Sequence, residues 1–376
     1  MKKIVIAPDK FKGSLTGIEF CNAVERGIKK HFKNVTIVKL PLADGGDGTV
    51  DALQFYIGGE LISLEVNDPL MQPIHANYLY AEKEKLAFIE MAEASGIRLL
   101  KNEELNPLET STFGTGELIL DAIKRGAKHI LLGIGGSSTN DAGMGMARAL
   151  GFRFFDNENK ELKGQGKDLN QLSTINTNLA NSELKNIKFE VACDVDNPLF
   201  GPNGAAHIYA PQKGASTRMV EELDAGLRNF NDKVEKQFGK NLQNIAGAGA
   251  AGGLGAGCVL FLNAHLKSGT ELIKSIADFH EQVKNADWII TGEGKLDAQT
   301  FSGKVIKGVL DSRTNQKLAV FCGVSELSEQ QGKAHQIDFL AEIMQQAIDV
   351  DDSIKNAEKY LENAAAQFAR HIKSAK

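Results

Sequence analysis

The chain has 376 residues, with 43 lysines and arginines against 48 aspartates and glutamates, a formal charge of −5, 42% apolar residues and four cysteines. That length suggests two domains and that apolar fraction supports a packed core, which excludes intrinsic disorder. The mildly acidic balance, without a block of like charge, argues against a nucleic-acid protein.

Glycine is in excess, 38 of 376 residues against an average near 7%, and most of it is clustered. In chain order, residues 3–7 read as a buried strand, and Phe20, Val24 and Ile28 as the apolar stripe of a helix opened by a Thr16/Glu19 capping box. Residues 35–42 read as a second strand and 49–56 as a helix, the opening of a parallel α/β sheet. From about residue 60 the texture changes to three close strands, 61–66, 74–80 and 86–91, an antiparallel meander that suggests a second domain. A helix at 116–125, a strand at 129–134, a helix at 142–150 and a strand at 189–193 follow. Later come strands at 288–291 and 318–322 and an amphipathic helix from about Ser353. Residues 157–184, rich in Asn, Lys and Gly, read as a surface loop region.

Only four apolar residues lie between Lys3 and Pro8, too few for a signal-peptide core, so a cytoplasmic protein is expected. The stretch between Lys240 and Lys267 has no charge, but six glycines, several asparagines and a histidine argue against a membrane span. The cysteines at 21, 193, 258 and 322 are too scattered for a disulfide framework or a zinc site. No P-loop pattern is present. A Gly-x-Gly-x-x-Gly match at 247–252 lacks a preceding strand, so close packing at a helix start is expected there instead of dinucleotide binding.

Five loops follow the expected strands directly, at 8–14, 43–49, 135–141, 194–198 and 292–297, and each mixes charged or polar residues with Gly or Pro. In open α/β sheets ligands bind outside the carboxyl ends of the strands. Each loop alone reads equally well as turn and cap residues; five at one end of a sheet point to a site. Glycine loops running into helices favour phosphate or carboxylate, yet Asp44, Asp47, Asp141, Asp194, Asp196, Glu293 and Asp297 crowd them with negative charge. A bridging Mg²⁺ would reconcile the two. The loops contain no arginine, so positive charge would come from Lys12, Lys295 or nearby Lys304.

Eight ordered blocks, APDKFKGSLT (7–16), ADGGDGT (43–49), GTGELILDAI (114–123), GIGGSSTNDAGMGMA (133–147), ACDVDNPLFGPNGA (192–205), APQKGA (210–215), GAAGGLGAG (249–257) and TGEGKLDAQTFSGK (291–304), resemble the bacterial glycerate kinase family of the glycerate 2-kinase type. The resemblance implies transfer of the ATP γ-phosphoryl group to D-glycerate with Mg²⁺, giving 2-phosphoglycerate and ADP. It implies an α/β fold of two domains with the active site in the cleft between them. One, residues 1–60 plus 285–376, would be a flavodoxin-like parallel sheet with helices on both faces. The other, residues 61–284, would be a mixed α/β domain with the antiparallel meander.

On this resemblance Asp194 is expected to take the proton of the attacked hydroxyl, with Asn197 close behind and Lys12 as the catalytic cation. Asp9, Ser14, Gly135, Gly136, Ser137, Asn140, Asp141, Asn197, Lys295 and Lys304 are expected to hold substrate or nucleotide, and Asp44, Asp47 and Glu293 the metal. The chain departs from the family pattern at Lys10, usually Ser and therefore a poor essential cation, at Asp47, often Glu, and at Lys295, commonly Arg. A kinase for another small hydroxy acid or polyol would use the same loops, a 3-phosphoglycerate product is the regiochemical alternative, and a non-catalytic anion-binding protein would have no reason for surplus carboxylates. No nucleic-acid or membrane partner is expected.

Overall fold

The N-terminal apolar run forms β1 (Lys3–Ile6), whose Ile4, Val5 and Ile6 are fully buried. The computed structural model describes residues 3–374 apart from 47 and 302–304. Thr16 caps the helix Gly17–Lys29 reciprocally: its Oγ1 accepts from the Glu19 amide, and the Glu19 carboxylate accepts from the Thr16 amide at 2.8 Å. Phe20, Val24 and Ile28 are buried on the sheet side. A second strand, β2 (Thr36–Lys39), pairs parallel with β1, and the helix Thr49–Ile57 follows.

The chain then builds a separate compact unit, Gly59–Ser268. Strands β3 (Glu60–Asn67), β4 (Pro73–Ala81) and β5 (Leu86–Glu90) form an antiparallel meander. β5 pairs parallel with β6 (His129–Gly133) after the helix Phe113–Lys124. Next come a short antiparallel pair, β7 (Arg153–Phe155) and β8 (Thr174–Asn176), then β9 (Lys188–Ala192) and β10 (His265–Lys267). The six-stranded mixed sheet has the order β10-β9-β6-β5-β4-β3. Its core gathers Leu118, Ile119, Ile130, Leu132, Phe189 and Val191.

Residues 157–184 are not a plain surface loop. Leu162, Leu169, Leu172, Ile175 and Leu184 are buried, and the segment supports the 22-residue helix Thr217–Phe238, whose Gly226 lies against the Leu169 side chain. Isolated leucines at irregular spacing among polar residues carry no period, which is why this anchoring leaves no signature in the sequence.

The first unit, Met1–Gly58, resumes at Gly269 and runs to Lys376, so 269–284 belongs with it and not with the segment ending at 284. Three further parallel strands, β11 (Trp288–Leu296), β12 (Lys317–Ser325) and β13 (Phe339–Glu342), complete a sheet of order β13-β12-β11-β1-β2. Residues 292–296 are strand rather than loop: Gly292 pairs with Phe321, Glu293 with Cys322 and Lys295 with Val324. A Cβ on Gly292 would fall 2.1 Å from the Phe321 carbonyl, so the glycine permits the close pairing. The C-terminal helix is also two helices, Val350–Lys355 and Ala357–Ser374, broken at Asn356. No described helix is long and apolar enough to cross a membrane.

The helices Gly17–Lys29 and Ala357–Ser374 pack together where Gly27 meets the partner backbone. A Cβ there would lie 2.3 Å from Glu362 O and 2.6 Å from Ala365 Cβ. Arg26 adds ion pairs to Glu358 at 2.6 Å and Glu362 at 2.8 Å. Propensity alone would make Gly27→Ala stabilising by about 1 kcal/mol. Overpacking of a closed contact costs about 1–3 kcal/mol, and the backbone carbonyl cannot rotate away, so the net effect is expected to be destabilising. A lowered urea midpoint is the predicted result; an unchanged or raised one would show that the two helices separate freely.

Candidate functional site

In the first unit, Asp9, Lys10, Lys12, Asp44, Glu293 and Lys295 line one cavity of about 750 Å³. The parallel ladder places them: the Ala7 amide donates to Ile290 O at 2.7 Å and the Asp9 amide to Gly292 O at 2.9 Å, continuing β1 against β11 up to the loop. Lys12 is exposed on a turn closed by Phe11 N donating to Leu15 O at 2.8 Å. The Ser14 hydroxyl donates to Phe11 O at 3.4 Å and so serves that turn. Asp44 Oδ1 accepts from the Gly46 amide at 3.1 Å, and the Glu293 carboxylate accepts from the Thr300 hydroxyl.

The electrostatics of this end are unbalanced. Burial, reinforced by the negative charges of Asp44 and then Glu293, pushes the Asp9 carboxyl up to about 7, against the opposing pull of the Lys10 amide and charge. Lys10, discounted from the sequence, lines the cavity with its stem over Gly48. Lys295 is exposed and tied to Glu326 at 2.7 Å and Asp297 at 3.7 Å. Among the described residues no three acidic, histidine or cysteine side chains are set closely enough to hold a metal by themselves. Asp47 and Lys304 lie outside the described residues.

In the second unit the loop after β6 carries exposed Gly135 and Gly136, the latter at φ +71° with open space on its Cβ side apart from Ala92. Behind them the loop turns inward. Asp141, expected to face a ligand, is fully buried and spent on the protein itself. Its Oδ2 accepts from Thr112 N at 2.8 Å, Thr112 Oγ1 at 2.7 Å and Gly145 N at 3.1 Å, and its Oδ1 from Gly143 N at 3.1 Å. Asn140 is equally buried, but both its amide N and O, with Thr139 Oγ1, have no hydrogen-bond partner among the described residues. Such groups are costly unless something completes them.

Lys213 is the residue that sequence reasoning missed. It sits in the quoted APQKGA block, where no periodicity marks it, yet it is buried, and its ammonium donates to Ser137 Oγ and Thr139 O, both at 2.7 Å. Burial drives its pKa down to about 7, opposed by the charge of Asp141.

Asp194 stands exposed in the loop after β9, whose start is fixed by the Cys193 amide donating to Lys267 O at 2.8 Å. Asn197 braces that loop, donating to Asn203 O at 2.9 Å and accepting from the Tyr209 hydroxyl at 2.5 Å. The glycine-rich segment 247–257 backs both loops. A Cβ on Gly249 would fall 2.2 Å from Pro198 O, on Gly252 2.0 Å from Thr139 O, and on Gly257 2.4 Å from Ala142 O. Gly252 is at φ +69° and accepts from the Ala142 amide at 3.1 Å. The small residues at 247–252 therefore serve packing, here of chain against chain.

The glycerate kinase family profile matches residues 4–373. The chain is 43% identical over 376 residues to a glycerate kinase of Bacillus subtilis (strain 168), covering all of this chain and 98% of the relative. It is 40% identical over 357 residues to a glycerate 2-kinase of Escherichia coli (strain K12), with 94% of each covered. Its structure is similar, with a TM-score of 0.90 and 37% identity, to the crystal structure of a protein assigned as glycerate kinase 2 from Salmonella typhimurium LT2, covering 100% of this chain and 99% of that one.

The environment of Lys213 makes stability pH-dependent. The unfolded chain keeps this proton up to the ordinary 10.5, whereas the folded chain releases it near 7. Between those values the unfolded state binds more protons, so this group's contribution to stability rises with pH. The melting temperature of wild type relative to Lys213→Met is expected to increase from pH 7 to pH 9. A flat difference would show that Lys213 titrates in the folded protein as it does in water.

Proposed function

Because the chain belongs to the glycerate kinase family, we propose that it is a cytoplasmic enzyme that transfers the γ-phosphoryl group of ATP to D-glycerate, giving 2-phosphoglycerate and ADP with Mg²⁺. The observation that carries the reading is the meeting of Lys10 and Lys12 with three carboxylates, Asp9, Asp44 and Glu293, in one cavity. Lysines without carboxylates would suit a simple anion, and carboxylates alone would suit a cation. Both together suit a polyphosphate with a divalent ion, and the upward push on Asp9 marks negative charge still to be neutralised. Asp44 and Glu293, with Asp47 of the same loop as Asp44, are the residues to hold that ion. When bound, Mg²⁺ neutralises charge on the phosphate oxygens.

The protein's own part is positioning and electrostatics. Asp194, exposed in the loop after β9, accepts the hydroxyl proton as the glycerate oxygen bonds to the γ-phosphorus. The bond from that phosphorus to the β–γ bridging oxygen breaks and ADP departs. Lys12 neutralises transferring phosphate, with Lys295 and Lys304 as further cations. The 135–141 loop holds an anionic group through the backbone at Gly135 and Gly136 and through Ser137, while Asn140 lies buried behind that turn and Asp141 keeps the loop in place. Phosphorylation at the 2-hydroxyl follows the name of the E. coli relative.

Asp194→Asn is expected to lower kcat by about 10²-fold or more, the scale of general-base catalysis, with little change in KM; near-normal turnover would remove Asp194 from the role. Phosphorus NMR of the protein with ATP, Mg²⁺ and D-glycerate is expected to show 2-phosphoglycerate. A 3-phosphoglycerate signal would reverse the regiochemistry, and no product would end the kinase reading.

A further inference from the structure

The cavity of the first unit has a second wall that the reaction scheme leaves unused. Gly323 and Val324 at the end of β12, and Met344, Val350, Ser353 and Ile354 after β13, complete its lining. Val324, Val350 and Ile354 remain 38%, 62% and 44% exposed. Single exposed aliphatics need no explanation, but three on one cavity wall do. Between the walls the floor is backbone, since a Cβ on Gly323 would fall 2.4 Å from the Gly294 carbonyl.

The sheet order sets the walls apart. The charged residues follow β1 and β2 or end β11, while the apolar ones come from β12 and from beyond β13. β1 and β12 are two places apart in the sheet, about 10 Å at ordinary strand spacing. The switch point, where connections leave to opposite sides, falls between β1 and β11, the position where open α/β sheets bind ligands. An occupant must therefore be elongated, anionic at one end and apolar at the other. D-glycerate, with three carbons and polar throughout, cannot span the walls and has no use for the aliphatic one. A cavity of about 750 Å³ lies in the range of sites for much larger ligands.

We propose that this cavity is the nucleotide site, with the phosphates toward Lys10 and Lys12 and the base against Val324, Val350 and Ile354. The assignment rests on the kinase reading and adds to it which loops face the nucleotide: those of residues 9–12 and 44–46, with the C-terminal segment 344–354 selecting the base.

Titration calorimetry with ATP, and with inorganic triphosphate as a baseless control, tests the assignment on wild type, Ile354→Asn and Val324→Asn. Loss of one aliphatic contact is expected to weaken ATP binding about tenfold and raise the KM for ATP to match, with triphosphate binding and the KM for glycerate within about twofold of wild type. Both positions are partly exposed and stand on different elements, so a folding defect in one leaves the other to report. Unchanged ATP affinity in a folded variant, an equal loss for triphosphate, or no ATP binding by wild type would overturn the assignment. Wild type that binds ATP but makes no phosphoglycerate would instead remove the glycerate kinase reading and leave the pocket standing.

Discussion

Everything at the inner end of the second unit hangs on one buried carboxylate. Asp141 has no contact with solvent, and taking a charge out of water costs several kcal/mol. Four donors from Thr112, Gly143 and Gly145 offset that cost, each bond to a charged group being worth about 1.5–3 kcal/mol. Burial still leaves its pKa raised above the ordinary carboxylate value. The result is a clamp: the start of the helix Phe113–Lys124, the start of the helix Met144–Ala149 and the exposed Gly135–Gly136 turn are held by a single side chain and its loop. Lys213 grips the same loop from the other direction through Ser137 and Thr139.

The two units concentrate opposite imbalances. One collects carboxylates until Asp9 resists ionisation; the other buries a lysine until it resists protonation. Both imbalances sit at the loops that follow parallel strands, where neighbouring strands deliver their loops side by side. Perturbed groups of this kind are what phosphoryl transfer needs, because its chemistry asks for fixed charge and precise placement.

Periodicity made most of the strands and the first helix legible, though not the short β7, β8, β10 and β13, and the Thr16/Glu19 box located that helix start to the residue. Composition made the loops after β1, β2, β6 and β9 legible as a set. The 292–296 segment was misread because Gly and Glu look like turn residues, while pairing across to β12, a tertiary effect, keeps them in the sheet. Asp141 was misread for a related reason: an Asp after a strand looks solvent-facing until the donors of Thr112, distant in sequence, come into view. Lys213 and the buried leucines of 157–184 left no local signal, since burial of a lone residue is decided by partners far along the chain. The glycines at 249–257 were legible as packing, but not what they pack, which is backbone of the two loops that carry Ser137 and Asp194.

The first unit is discontinuous, Met1–Gly58 with Gly269–Lys376, and that has a consequence during synthesis. β1 is flanked on both sides in its sheet, by β2 and β11, yet β11 and the helix Ala357–Ser374 that packs on the Gly17–Lys29 helix are made only after the whole of the second unit. At about 5–20 residues per second on the ribosome, the opening strands wait roughly 15–60 s for them. Throughout the wait for β11, β1 has an unpaired edge, and within the same interval the second unit gains all its strands, β10 being complete at Lys267. The order of synthesis is thus written into the chain's path: every strand of the continuous unit is made before the discontinuous one receives its second segment.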